Sequence, residues 1–317
     1  MLAISSWLVR RLLRAELVVA DAFLEGSNDP FTGLTTEGAP VTLTADSTLA
    51  ANERLRIFHL SDLHLGSEHQ GRIEALERVL RKLDPHLVIV TGDVVDKPDD
   101  RSLKIAKEVL GKLEDGRELI VVAGNHDRHG ELDLNGWRRS LGITYGDYGY
   151  HFLQFPCEGK PDLPVFIFRF CSTLGAERST DAGPLRFLER LIQVQGWVEQ
   201  SQIEYFRAQA RELKQRPEFH RALRIAAIHH HPLPTRRSSR ADRFMTILNA
   251  PDVLDIFDEL HIDLVLHGHQ HDPMVQEVRR QRMGTTIRRA LCRCSDESNR
   301  AGGGNESPMS HLRVLPH

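Results

Sequence analysis

Five apolar runs in this chain each end in side chains that bind metal ions. Leu55 to Leu60 leads into Asp62-x-His64, and Leu87 to Val90 into Gly92-Asp93. Leu119 to Val122 leads into Gly124-Asn125-His126-Asp127, and Ala222 to Ile228 into His229-His230-His231-Pro232. Leu264 to Leu266 leads into His267-Gly268-His269-Gln270-His271. Residues i and i+2 of an extended segment share a face, so Asp62 and His64 can address one cation. Carboxylate, imidazole and amide oxygen form a borderline-to-hard donor set without thiolate. That set suits divalent Mn, Fe or Zn in a reactive centre better than a structural zinc site. The glycines before Asp93, Asn125 and His269 let the chain turn sharply as it leaves a strand. A single Asp-x-His arises often by chance; five such strand ends do not.

The elements that must carry these groups are regular from Arg54 onward. Ile73, Leu76, Val79, Leu80 and Leu83 recur at helical spacing until Asp84-Pro85, and Leu103, Ala106, Val109, Leu110 and Leu113 repeat the pattern up to Gly116. The all-apolar runs between them read as strands covered on both faces. Strand, helix, strand, helix, strand predicts parallel pairing with right-handed crossovers, whose sites gather at the carboxyl ends of the strands. Further on, Val165 to Phe170 and Ala222 to Ile228 are expected as strands, and Gln202 to Leu213 and Pro251 to Leu260 as helices.

With 317 residues and a formal net charge of −3, the chain fits one large α/β domain with additions and carries no overall basic nucleic-acid surface. Its 4 cysteines form no CxxC pair, so a reducing cytoplasm is the expected setting. Met1 to Val19 mixes leucines with Arg10, Arg11 and Arg14, which fits an amphipathic helix docked on the protein, a partner or a membrane surface. Residues 26 to 53 read as a loose linker. The expected organisation is an N-terminal helix and linker over 1–53, a catalytic domain over 54–291, and a disordered Gly/Ser tail over 292–317.

The order Asp-x-His, Gly-Asp-x-x-Asp, Gly-Asn-His-Asp, His-x-Pro, Gly-His-x-His resembles the calcineurin-like metallophosphoesterases over roughly residues 54 to 280. The resemblance implies a four-layer α/β/β/α sandwich of two mixed β-sheets flanked by helices, where periodicity alone indicates only a parallel α/β core. It also implies two divalent ions. Asp62, His64, Asp93 and His271 would hold one; Asp93, Asn125, His230 and His269 would hold the other, with Asp93 shared. His230 follows the His-x-Pro pattern, with His229 and His231 as adjacent alternatives. His126 resembles the family's catalytic histidine, and Asp96 the carboxylate that orients it. The implied reaction is hydrolysis of a small phosphate ester by a hydroxide bridging the ions.

Among branches, the sequence looks most like the cyclic-nucleotide phosphodiesterases. A DNA-repair nuclease of the same superfamily shares the Ser-Asp-x-His-Leu-Gly opening, but a long basic stripe is missing. A phosphomonoesterase is a further alternative. A non-catalytic scaffold of this fold is the reading from another class, and the complete ligand set argues against it. Ala123 stands where the family often has proline. Lys97 stands where protein phosphatases carry arginine, which counts against phosphoprotein substrates. After His271 an arginine-rich stretch makes closure of the second sheet look irregular or truncated. Arg236 and Arg237, with Arg240 and Arg243, follow the histidine triplet and are candidates for phosphate contacts.

Overall fold

The computed structural model describes residues 15–19, 41–45, 48–50, 53–66, 70–128, 134–173, 195–233, 246–269, 274–282, 285–293 and 310–312. Its first sheet has the strand order β12-β1-β3-β4-β5. These are β1 (Ala15–Val19), β3 (Leu55–Leu60), β4 (Leu87–Thr91), β5 (Glu118–Val122) and β12 (Ser310–Leu312). The second sheet has the order β10-β11-β9-β8-β7-β6-β2. It comprises β2 (Val41–Thr44), β6 (Gly149–Phe155), β7 (Leu163–Phe170), β8 (Leu223–Ile228), β9 (Leu264–His267), β10 (Met274–Arg282) and β11 (Thr285–Arg293). Strands β3, β4 and β5 pair in parallel, as do β7, β8 and β9, while β6 runs antiparallel to β7.

Alternation along each strand builds the layers. Leu55, Ile57, Leu87, Ile89, Ile120 and Val122 of the first sheet pack against Leu153, Val165, Ile167, Ile225 and Leu266 of the second. The opposite faces turn outward to helices. Phe58, Leu60, Val88 and Val90 meet α1 (Gln70–Leu83) and α2 (Asp100–Glu114) through Ile73, Leu80, Leu103 and Leu110. Phe166, Phe168 and Phe170 meet α4 (Gln200–Leu213) and α6 (Ala250–Glu259) through Phe206 and Phe257. Short helices α3 (Leu134–Leu141) and α5 (Pro217–Arg221) complete the described set. The architecture is therefore the four-layer sandwich. Helix α2 starts on an Asp99 carboxylate that accepts the Ser102 N–H at 2.8 Å, which satisfies one of the amide donors left over at a helix N-terminus. No helix among the described residues is long and apolar enough to cross a membrane.

Four expectations change. Residues 1–14 of the expected amphipathic helix lie outside the described residues, and Ala15–Val19 is a strand in parallel register with Leu55–His59. The unbroken run Leu17-Val18-Val19 meets the open edge of β3, whose backbone groups need partners. Within the expected linker, Val41–Thr44 pairs with His151–Gln154. At the other end, β10 and β11 form a long antiparallel hairpin, and β11 closes the second sheet beside β9. Ser310–Leu312, in the expected tail, pairs antiparallel with β1. Except within the β10–β11 hairpin, the strand partners of these stretches lie far away in sequence, which local composition does not reveal.

Candidate active site

The polar strand ends of both sheets come together at one edge of the sandwich. Six described non-glycine residues have positive φ, and four of them are Asp62 (56°), His64 (43°), Asp93 (51°) and His269 (79°). Such conformations cost roughly 1–3 kcal/mol each and persist where the surroundings impose them. Here the Asp62 N–H donates to Gly92 O at 3.0 Å and the His64 N–H to Asp93 O at 2.8 Å. The Asp62 carboxylate in turn accepts the His269 N–H at 3.0 Å, tying the first sheet to the second. Gly92, at φ 96°, has no room for a side chain, because a Cβ there would sit 2.5 Å from His229 Nδ1.

Asp93 is the hub and is 1% exposed. One carboxylate oxygen, Oδ2, lies 3.3 Å from His229 Nε2 and 3.8 Å from His64 Nε2. The other accepts the His126 backbone N–H at 2.9 Å. His229 Nε2 is also 3.1 Å from Asn125 Oδ1, and its Nδ1 donates to Thr91 O at 2.8 Å. That second bond fixes the ring and presents Nε2 to the centre. His230 lies behind. Its Nδ1 is 2.8 Å from Ser172 Oγ, and its ring packs 4.3 Å from that of His269. His231 faces His267 instead, with ring centroids 5.9 Å apart.

His126 Nδ1 is 3.2 Å from both the backbone oxygen and Oδ1 of Asp96, and Asp96 Oδ1 is 3.7 Å from His64 Nδ1. One carboxylate thus stands behind two imidazoles. Asp127 serves the backbone: it accepts the N–H of Val95 at 3.0 Å and of Gly124 at 2.8 Å. Asp62, His64, Asp93, Asn125, His126, His229, His230 and His269 are therefore brought together, with Asp96 alongside. His271, Arg236 and Arg237 lie outside the described residues. Sequence reading gave no role to Asp127, although it stands in the Gly-Asn-His-Asp motif, and it missed Ser172 and Thr91, which carry no motif.

Electrostatics and donor chemistry fit divalent cations. Burial on its own would raise the Asp93 carboxyl, but the His229, His126 and His64 imidazoles outweigh it and hold it well below the usual range. Burial opposes the His229 imidazolium, yet Asp93 and then Asp62 push it up to about 9. A cation neutralising those carboxylates would remove the cause of that proton affinity and leave imidazole as a ligand. Among the described residues, donor atoms converge within 4.8 Å in three groups: Asp62/Asp93/His229, His64/Asp93/His126 and His229/His230/His269.

The family model for calcineurin-like phosphoesterases matches residues 55–273, and the chain belongs to that family. It is accordingly a phosphoester hydrolase of a metal-dependent family. It is 24% identical over 237 residues to a protein named "Probable cyclic nucleotide phosphodiesterase" of Pseudoalteromonas sp. (strain SM9913), covering 71% of this chain and 75% of the relative. An "Uncharacterized metallophosphoesterase" of Aquifex aeolicus (strain VF5) is 30% identical over 80 residues, 25% of this chain and 30% of the relative. Among solved structures, GAP50, the anchor in the inner membrane complex of Plasmodium, superposes with a TM-score of 0.45 at 13% identity over 81% of this chain and 76% of its own.

Proposed function

We propose that the chain hydrolyses phosphodiester bonds at a two-ion centre, with cyclic nucleotides as the favoured substrate class. The observation that carries this is Asp93, a buried carboxylate belonging to two donor groups at once. Asp62, His64, Asp93 and His271 would hold one ion; Asp93, Asn125, His229 and His269 would hold the other. His229 replaces His230 in this reading because its Nε2 is the nitrogen within 3.3 Å of Asp93 and 3.1 Å of Asn125. A pair of divalent ions supplies polarisation of the phosphoryl oxygens and a water of lowered pKa. His126, with Nδ1 turned to Asp96, offers Nε2 to the leaving oxygen, and protonating that alkoxide is worth typically about 10²–10⁴-fold. Asp96 stabilises the charged ring during that transfer. The cyclic-nucleotide preference is supported by the name of the Pseudoalteromonas relative.

The test is metal analysis together with Mn-supplemented hydrolysis of 4-nitrophenyl and alkyl phosphodiesters. Asp93→Asn is expected to lose bound metal and activity. His126→Ala should retain metal, with a larger fall in kcat for the alkyl ester, whose leaving group needs a proton. Full metal content and activity in Asp93→Asn would refute the two-ion assignment. Equal losses in His126→Ala across leaving groups would refute the proton role.

A further inference from the structure

Two large apolar side chains are prominently exposed among the described residues: Trp197, 37% exposed, and Leu248, 44% exposed. They are neighbours, because the Leu248 N–H donates to the carbonyl of Gly196 at 3.1 Å. Their backbones are fixed. The Trp197 N–H donates to Ser172 O at 2.8 Å, and the Ile247 N–H to His231 O at 3.1 Å. The Asn249 side chain clamps both backbone groups of Val198, accepting its N–H at 3.1 Å and donating to its carbonyl at 2.7 Å.

Three of these anchors lead back to the histidine loop, through Ser172, Gly196 and the His231 carbonyl. Ser172, which holds the Trp197 amide, also bonds His230 Nδ1 through its hydroxyl. Gly196, which holds Leu248, has φ 72° and lies so close to His230 that a Cβ there would come within 2.5 Å of the ring. The segment sits beyond the carboxyl ends of β7 and β8, on the rim where the ligand histidines emerge. An exposed tryptophan whose backbone is anchored to Ser172, the partner of His230, has apolar area to cover beside the site. It offers a flat π surface to whatever the phosphoryl group carries.

We infer that Trp197 and Leu248 form an apolar rim that receives the nucleobase of a nucleotide ester. This rests on the phosphodiesterase reading above and adds the group recognised beside the phosphate. A base stacks on an aromatic face irrespective of its hydrogen-bonding edge, so the rim selects for a base without selecting among bases.

Binding tests it apart from turnover, by titrating the Mn-loaded protein with adenosine 5′-monophosphate and with ribose 5-phosphate. The native protein is expected to bind the nucleotide about tenfold more tightly. Trp197→Ala should abolish that ratio, and Trp197→Phe, which keeps an aromatic face, should retain most of it. Equal affinity for the two ligands in the native protein, a ratio that survives Trp197→Ala, or no nucleotide binding at millimolar concentration would each overturn the rim. A nucleotide preference without hydrolysis of any phosphoester would leave the rim standing and defeat the activity reading. Hydrolysis without the preference would do the reverse.

Discussion

At the scale of single residues, the three consecutive histidines after β8 show how position decides chemistry. All three are buried and identical in type, yet their ring nitrogens meet different partners: Asp93 and Asn125 for His229, Ser172 for His230, and the His267 ring for His231. Their difference as ligands follows from what lies across the gap. His229→Ala is expected to lower metal affinity more than about 100-fold, beyond the range typical of losing an outer-shell partner, because it removes a donor from the Asp93 group. Ser172→Ala should alter it less, since it removes support from His230, a ring that does not belong to that group. Isothermal titration with Zn or Mn separates the two, and a larger loss for Ser172→Ala than for His229→Ala would return the ligand role to His230. The histidine triplet is legible in the sequence as a strand end bearing metal-binding side-chain types, but which ring faces Asp93 is not. Adjacent residues leave a strand end in different directions, and the partners belong to the other sheet.

At the scale of elements, loops become a site because short connections are locked to each other. The loops after β4 and β5 carry Asp93 and Asn125, and the buried Asp127 joins them through the amides of Val95 and Gly124. Burial and the nearby Asp93 charge push the Asp127 carboxyl up to about 7, against the pull of those amides. Asp127→Ala would leave these buried donors without their acceptor, at about 1–3 kcal/mol each. A lower urea midpoint with an unchanged slope, together with weaker metal binding, is the expected result; an unchanged midpoint would mean that the loops hold their shape without the clamp. The strands and helices here were legible because their apolar periods are strong, as in Leu87–Thr91 and Asp100–Glu114. Strand β6 went unnoticed, since Gly149–Phe155 interleaves His151 and Gln154 with aromatics and its order comes from pairing with β7.

At the scale of the whole molecule, both sheets are completed by segments far from the motifs. Strand β1 lies inside the first sheet, with β3 on one side and β12 on the other, and β2 forms an outer edge of the second. The sequence places the first 53 residues outside the catalytic domain, because no candidate ligand precedes Asp62 and a polar, glycine-containing linker separates the apolar N-terminal stripe from the first strand. Pairing says otherwise: Ala15–Val19 is matched residue for residue with Leu55–His59, the strand that ends at Asp62 and His64. Deleting residues 1–45 would strip β3 of that ladder, deprive β12 of its partner and remove β2. The truncated protein is therefore expected to melt at lower temperature than the full chain and to aggregate through the bared edge of β3, since an unpaired edge strand invites pairing with another molecule. Differential scanning calorimetry and light scattering on the two forms provide the check. A truncated form that is monomeric, melts with the full chain and binds the same amount of metal would show that β1 and β2 are dispensable to the sandwich. Aggregation suppressed by a charged substitution on β3's freed edge would trace the defect to that edge rather than to a general loss of fold.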